Sequence, residues 1–295
     1  NVEACLKAVL NSESLDSSRV YVLDDGSSDA TGKLISEFKV TKLIGTEVPA
    51  GWLGKVWACH NLSEVGSGEY LVFIDADVCL HPYAIASAIT KMKKYGWEFI
   101  SPYPRQIAGS ILEKLIQPLL QWSWIASVPL RIAERFPNRS MTIANGQFFI
   151  VKRSAYEKSG GHAAIPNEVL DDLELGRSMV RKGFRGGVAE ASHFADCRMY
   201  STSRELLEGY TKSQWRAFGN PFGAIIAVAI LAFISIVPIL IGLAGNLSGW
   251  IGYFAIVMSR LLVAIRTRSV MSSALLHPLS ALMWIYLIIL SWIRK

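Results

Sequence analysis

Acidic residues are missing from the last quarter of this chain. All 24 Asp and Glu of the 295 residues lie before position 222, and the final 74 residues hold five cations only, Arg260, Arg266, Arg268, Arg294 and Lys295. The first 221 residues carry 25 basic against 24 acidic groups, so the net charge of +6 comes from the apolar end and its flanks. That distribution argues against a nucleic acid as partner. Cysteine is scarce too. Cys5, Cys59, Cys79 and Cys197 are scattered, with no C-x-x-C pair and no metal-ligand spacing, which fits a reduced, cytosol-facing part better than a disulfide framework. A signal peptide is not legible, and the chain opens on Asn1 in what reads as an amphipathic helix already under way.

What the charge-free end does contain is three apolar stretches, about Phe222 to Gly245, Leu247 to Ile265 and Leu275 to Ile293. Each approaches the roughly 20 residues needed to cross a ~30 Å hydrocarbon core, so residues 222–295 are expected to form a membrane domain of about three transmembrane helices. Arg266 and Arg268 sit between the second and third stretch while the link Gly245–Ser248 is uncharged. Positive charge on the inner side then places that second link and the N-terminal part in the cytoplasm, in a multi-pass protein of the cell (inner) membrane. Arg294 and Lys295 run against this rule. A further apolar run, Ile111 to Leu130, holds Pro118, Pro129, Trp122 and Trp124. Internal prolines and paired tryptophans suit an interfacial helix, with a core helix of the soluble part as the other reading.

Before Gly219 the pattern alternates between strand and helix. Arg19 to Leu23 and Tyr70 to Ile74 are short β-rich runs that each end in carboxylates, which predicts a Rossmann-like, mixed, mainly parallel sheet with ligands beyond the strand ends. The first cluster, Asp24-Asp25-Gly26-Ser27-Ser28-Asp29, could accept hydrogen bonds from a nucleobase N–H and ribose hydroxyls; alone it equally reads as a turn and helix cap. The second, Asp75-Ala76-Asp77, offers two hard oxygen ligands of the kind Mg²⁺ or Mn²⁺ takes. Between them, Gly51 to Asn61 contains Lys55 among glycines, placed to meet a phosphate or simply to start a helix. The third cluster, Asp171-Asp172-Leu173-Glu174, opens a helix. Adjacent carboxylates repel, so one can hold a raised pKa and act as a general base; acidic residues in a first helical turn are also ordinary dipole partners.

In this order, and followed by membrane spans, the D-D-G-S-S-D, D-A-D and D-D-L-E-L-G-R segments resemble the nucleotide, metal and base motifs of family 2 glycosyltransferases of GT-A fold, over essentially all of residues 1–221. The G-W-L-G-K-V-W-A segment and the trailing spans resemble, within that family, the hopanoid-associated and carotenoid-acid (diaponeurosporenoate) glycosyltransferases. The resemblance implies that Asp25 contacts the base of a UDP- or GDP-sugar with Asp24 beside it. It implies that Asp75 and Asp77 hold the diphosphate through Mn²⁺ or Mg²⁺ with Lys55 nearby, and that Asp172, next to Asp171, is the base. Asn145 to Phe149, followed by Lys152-Arg153 and Gly160-Gly161-His162, is similar to the family's acceptor side, where Gly146 lets the backbone approach the sugar. His193 is a possible further metal ligand. Ser213-Gln214-Trp215-Arg216 departs from the Q-x-x-R-W of processive synthases, which counts against a polymer product. Family members begin with a strand and a P-x-R-N-E-like segment, expected to precede Asn1.

The function expected is inverting transfer of a sugar to a lipid or isoprenoid acceptor at the cytoplasmic membrane face. Two alternatives stay open. A polyprenyl phosphate acceptor would rely on cations such as Arg131, Arg198 or Arg216, and a catalytically silent membrane protein would use the same domain only to bind sugar nucleotides.

Overall fold

The computed structural model describes residues 1–13, 15–129, 132, 135–136, 138, 141–218 and 220–294. Arg131, Leu130 and Lys295 lie outside them. The chain forms two compact units, Asn1–Arg105 with Pro129–Cys197, and Gln106–Val128 with Arg198–Lys295. This division differs from the expected boundary at residue 221, because two helices that precede it in sequence pack with the C-terminal ones.

The first unit is α/β. After helix α1 (Val2–Leu10), strands β1 (Tyr21–Asp24) and β2 (Thr41–Ile44) pair in parallel across helix α2 (Thr31–Ile35). A four-stranded sheet follows in the order β3 (Tyr70–Ile74), β7 (Phe148–Lys152), β5 (Phe99–Tyr103), β8 (Gly186–Glu190). A small sheet orders β4 (Val78–Leu80), β9 (Ala195–Cys197) and β6 (Arg105–Gln106). The sheet is less parallel than expected. β3 and β5, joined through helix α4 (Ala84–Tyr95), run the same way, but β7 lies between them and opposes both. Parallel bonding is left to β5 with β8 and β1 with β2.

Strand β7 explains how the sheet is covered on both faces. Alternate residues point to opposite sides, and Phe148 and Ile150 join one buried cluster with Ile100, Met92 and Trp97, while Phe149 and Val151 join another with Phe99, Leu175 and Met179. An unbroken apolar run is what a strand buried on both faces requires, each such side chain contributing about 1.5–3 kcal/mol. Helices α3 (Gly54–Ser63), α6 (Arg153–Ser159) and α7 (Asp171–Arg181) also belong to the unit, with a 3-10 turn over Gly161–Ala164.

The second unit is helical: α5 (Ile111–Ser127), α8 (Ser203–Ala217), α9 (Pro221–Leu243), α10 (Leu247–Arg266) and α11 (His277–Ile293). Helix α5 starts at a reciprocal cap, Glu113 N–H donating to Ser110 Oγ and Gly109 N–H donating to Glu113 Oε2 at 2.6 Å. It continues past Pro118. Leu112, Leu115, Ile116, Leu119 and Trp122 are buried along one stripe of the helix, and α5 packs on α8, α10 and α11. Trp122 donates its indole N–H to Ser259 Oγ at 2.9 Å.

Two helices, α9 and α10, are long and apolar enough to cross a membrane. Helix α11, the expected third span, has 17 residues, about 26 Å at 1.5 Å per residue. It buries a face of His277, Ser280, Ala281, Trp284, Leu287, Ile288 and Ser291. Inside the unit the Arg260 guanidinium donates to Ser273 Oγ and meets His277 Nδ1, each at 3.3 Å, so the buried charge is at least hydrogen-bonded. Helices α9 and α10 meet closely at Gly249, where an added Cβ would lie 2.2 Å from Gly242 N and 2.4 Å from Pro238 O.

Candidate active site

The antiparallel pairing of β3 with β7 sets the site. It brings the carboxyl end of one strand beside the amino end of the other: Ile74 is opposite Phe148, and Asp75 N–H donates to Gln147 O at 3.1 Å. The segments Asp75-Ala76-Asp77 and Asn145-Gly146-Gln147 therefore emerge side by side. Asn145 is tied down by Ser101 in the middle of β5, its N–H donating to Ser101 Oγ at 2.7 Å and its carbonyl accepting from the same hydroxyl at 3.0 Å.

Onto this platform α7 presents its first residues. Gly146 N–H donates to Asp172 Oδ2, and Leu173 N–H donates to Asp172 Oδ1 at 2.8 Å. A side chain at 146 would be tight, since a Cβ there would sit 3.2 Å from both Lys55 Nζ and Asp172 Cβ, and Asp172 would have to give way. Lys55, one residue into α3, lies 3.1 Å from Asp75 Oδ1 and 3.9 Å from Asp171 Oδ2. Burial of the ammonium works against its charge, but the carboxylates of Asp171, Asp75 and Asp172 hold its pKa above the ordinary lysine range. Asp171 and Asp172 are both pushed up, chiefly by burial and further by neighbouring carboxylates, with Lys55 opposing. One carboxylate of such a pair can hold a proton near neutral pH, as a group that exchanges protons requires.

Asp77 is raised as well, by burial and then by Asp75. The Cys197 thiol interacts with its carboxyl group, but among the described residues its buried Oδ1 has no hydrogen-bond partner. A buried acceptor left unsatisfied is costly, and a divalent ion shared with Asp75 would satisfy it; hard oxygen donors at this spacing suit Mg²⁺ or Mn²⁺. Lys55, Asp75, Ala76 and Asp77 line an open cleft of about 400 Å³ with Asn1.

The nucleotide cluster divides in two. Asp24 is committed: its Oδ1 accepts from Ser27 N–H at 3.0 Å and Lys42 Nζ lies 3.1 Å from its Oδ2, which hold its pKa below the usual range. Asp25 is exposed and faces two glycines, with an added Cβ on Gly45 2.6 Å from its Oδ1 and one on Gly54 3.5 Å from its Oδ2. A flat ring can approach such a carboxylate where side chains are absent.

His193 is not brought to this place. Cys197 is opposite Val78 at the Asp77 end of the β4–β9 ribbon, whereas Ala195 is opposite Leu80 and His81 N–H donates to Phe194 O at the other end. Residues 192–194 form a turn beyond the Ala195 end of the ribbon, and among the described residues His193 joins no ligand cluster with Asp75 and Asp77. Gly160-Gly161-His162 does not form an open acceptor wall either. His162 is buried, its Nδ1 2.7 Å from the Tyr156 hydroxyl. Sequence reasoning missed that Cys59 and His162 sit behind Asp171, their ligand atoms and a carboxylate oxygen of Asp171 all within 4.8 Å of one another; no spacing signals it, because three separate elements supply the three residues.

With this geometry in place, the class of protein is defined. Residues 1–160 match the family Glycosyl transferase family 2, and the chain belongs to that family; it is a glycosyltransferase of GT-A-type mixed α/β fold. Over 221 residues it is 25% identical to the 4,4'-diaponeurosporenoate glycosyltransferase of Staphylococcus haemolyticus (strain JCSC1435), a match covering 72% of this chain and 58% of that protein. The chain thus spans less than two thirds of that relative's length. Among solved structures, a mannosyltransferase from Pyrobaculum calidifontis in complex with GDP-Man and Mn²⁺ aligns with a TM-score of 0.55 at 17% identity, over 99% of this chain and 82% of that one.

Proposed function

We propose that this glycosyltransferase moves a sugar, with inversion, from a nucleotide-sugar donor to a hydroxyl or carboxyl oxygen of a lipid or isoprenoid acceptor at the cytoplasmic face of a membrane. The observation that carries the chemistry is the Asp172 carboxylate, pinned by Gly146 N–H and Leu173 N–H across from Lys55 and Asp75. Asp172 takes the proton of an acceptor hydroxyl, or orients an acceptor already ionised. The acceptor oxygen forms its bond to the anomeric carbon as the bond to the nucleoside diphosphate breaks, and the diphosphate leaves with the electron pair. Lys55 offsets its charge. Asp25 accepts from the base, in the glycine-flanked position of its carboxylate.

Asp75 and Asp77 would hold Mn²⁺ or Mg²⁺, the orphaned Asp77 Oδ1 supporting that role. Such an ion supplies charge neutralisation for the departing diphosphate. The GDP-Man and Mn²⁺ of the Pyrobaculum enzyme support the donor class and the ion. The name of the Staphylococcus relative supports an apolar acid as acceptor, and two helices of spanning length and composition support a membrane setting.

The test supplies membranes containing the protein, with any preceding segment of its natural chain, with Mn²⁺ and labelled UDP- and GDP-sugars, followed by extraction of lipid. Label in an organic-soluble product is expected, lost with EDTA and lowered about 10²–10⁴-fold by Asp172→Asn, while nucleotide binding persists. Near-normal turnover in Asp172→Asn would remove the base assignment. The stability of the product to mild alkali separates a glycoside from a glycosyl ester or a polyprenyl-phosphate sugar, and nucleotide binding without label from any donor would favour a silent binding protein.

A further inference from the structure

Beside the acidic pair, three residues of different chemistry converge. Cys59 lies on α3, one helical turn after Lys55; His162 lies in the 3-10 turn that follows α6; Asp171 is the first residue of α7. One ligand atom from each falls within a 4.8 Å triangle. A zinc ion bound at 2.0–2.3 Å by S, N and O needs its ligand atoms about 3.2–3.8 Å apart, so closing the triangle takes side-chain movements of about 1 Å.

The surroundings favour a cation. Asp75, Asp171 and Asp172 stand against the single ammonium of Lys55, and His162 is kept neutral by burial, its pKa lowered to about 3. The ring is held by Tyr156. Tyr156 contacts Nδ1 and also accepts from the His162 N–H at 3.1 Å, the kind of outer support that metal-bound imidazoles have. Burial pushes the Cys59 thiol up to about 12, with Asp171 adding to it, so without an ion the sulfur stays protonated and inert.

We propose that Cys59, His162 and Asp171 form a second cation site, selective for a soft divalent ion such as Zn²⁺, and that filling it slows sugar transfer. The donor sets divide the ions: an all-oxygen pair at Asp75 and Asp77 takes Mn²⁺ or Mg²⁺, whereas a sulfur, nitrogen and carboxylate set takes Zn²⁺ or Co²⁺. On binding, the Cys59 sulfur forms the metal bond and its proton passes to solvent. Asp171 turns from Lys55 to the ion, and with the Cys59 proton gone the site gains one net positive charge beside Asp172, which weakens Asp172 as a proton acceptor.

Binding is read without turnover. Co²⁺ added to the reduced protein in detergent, with Mg²⁺ in excess, is expected to give a near-ultraviolet thiolate-to-cobalt charge-transfer band that Zn²⁺ abolishes by displacement. Cys59→Ser should lose the band and weaken Zn²⁺ binding about 100-fold or more, beyond what loss of an outer-shell partner costs. Asp77→Asn should keep it. In the transfer assay, micromolar Zn²⁺ at saturating Mn²⁺ should inhibit the natural chain and spare Cys59→Ser. Absence of the band, or its persistence in Cys59→Ser, overturns the site; inhibition of equal depth in both proteins overturns the regulatory role.

Discussion

Among the residues, the carboxylates divide by what surrounds each one. Asp24 has an ion pair and a backbone donor, Asp172 two backbone donors, and Asp77 one buried oxygen, Oδ1, without a partner among the described residues. A carboxyl group whose pKa is raised on folding contributes stability that is complete below the unfolded value, about 3.9, and is lost as pH rises through the folded one. Asp77, Asp171 and Asp172 are all raised, so without divalent ions the melting temperature should fall between about pH 4 and neutrality. Asp77→Asn should shrink that fall, and Mn²⁺ at pH 7 should raise the melting temperature of the natural chain but not of the variant. A steeper fall in Asp77→Asn would show that Asp77 is not strained by its burial. The sequence displayed all these acids, since apolar runs ending in carboxylates are visible as text. It did not display their partners: that Lys42 claims Asp24 while Asp25 stays open depends on a strand pairing, and His193 read as a ligand because sequence distance hides which end of a ribbon a residue occupies.

At the level of elements, strands were legible where a hydrophobic run met an acidic cluster, as at β1 and β3. The direction of β7 was not, because Phe148–Val151 is apolar on both faces and such a run carries no mark of its orientation. The second unit shows the same limit. Hydropathy picked out the segments of α9, α10 and α11, but the length of α11 and the burial of α5 depend on helix ends and packing partners. Close approach of α9 and α10 rests on Gly249, where even a methyl group would meet backbone atoms of Gly242 and Pro238. Gly249→Val should therefore part the pair, with a cost of about 1–3 kcal/mol typical of overpacking. Thermal unfolding in detergent would register it as a lower midpoint; an unchanged midpoint would mean that the helices accommodate the side chain by sliding.

On the scale of the whole molecule, the charge boundary near residue 221 looks like a place to cut, yet the helical unit reaches back across it. Leu112, Ile116, Leu119, Trp122 and Leu206 share a buried cluster with Ala224, Trp284, Leu287 and Ile288. A chain ending at Asn220 should expose the first five and precipitate without detergent, whereas removal of α5 and α8 as well should reduce that aggregation. Equal solubility of the shortened and complete chains, measured by sedimentation after membrane extraction, would contradict the packing described. The Trp122–Ser259 bond spans 137 residues, and that separation bears on synthesis at the ribosome. At about 5–20 residues per second, roughly 7–27 s pass between the emergence of the two partners, longer than a helix or a local collapse needs to form. For that interval α5 exists with its apolar surface uncovered, so a chaperone or the lipid surface itself must shelter it, and the order of translation leaves the packing of α5 to wait for α10 and α11.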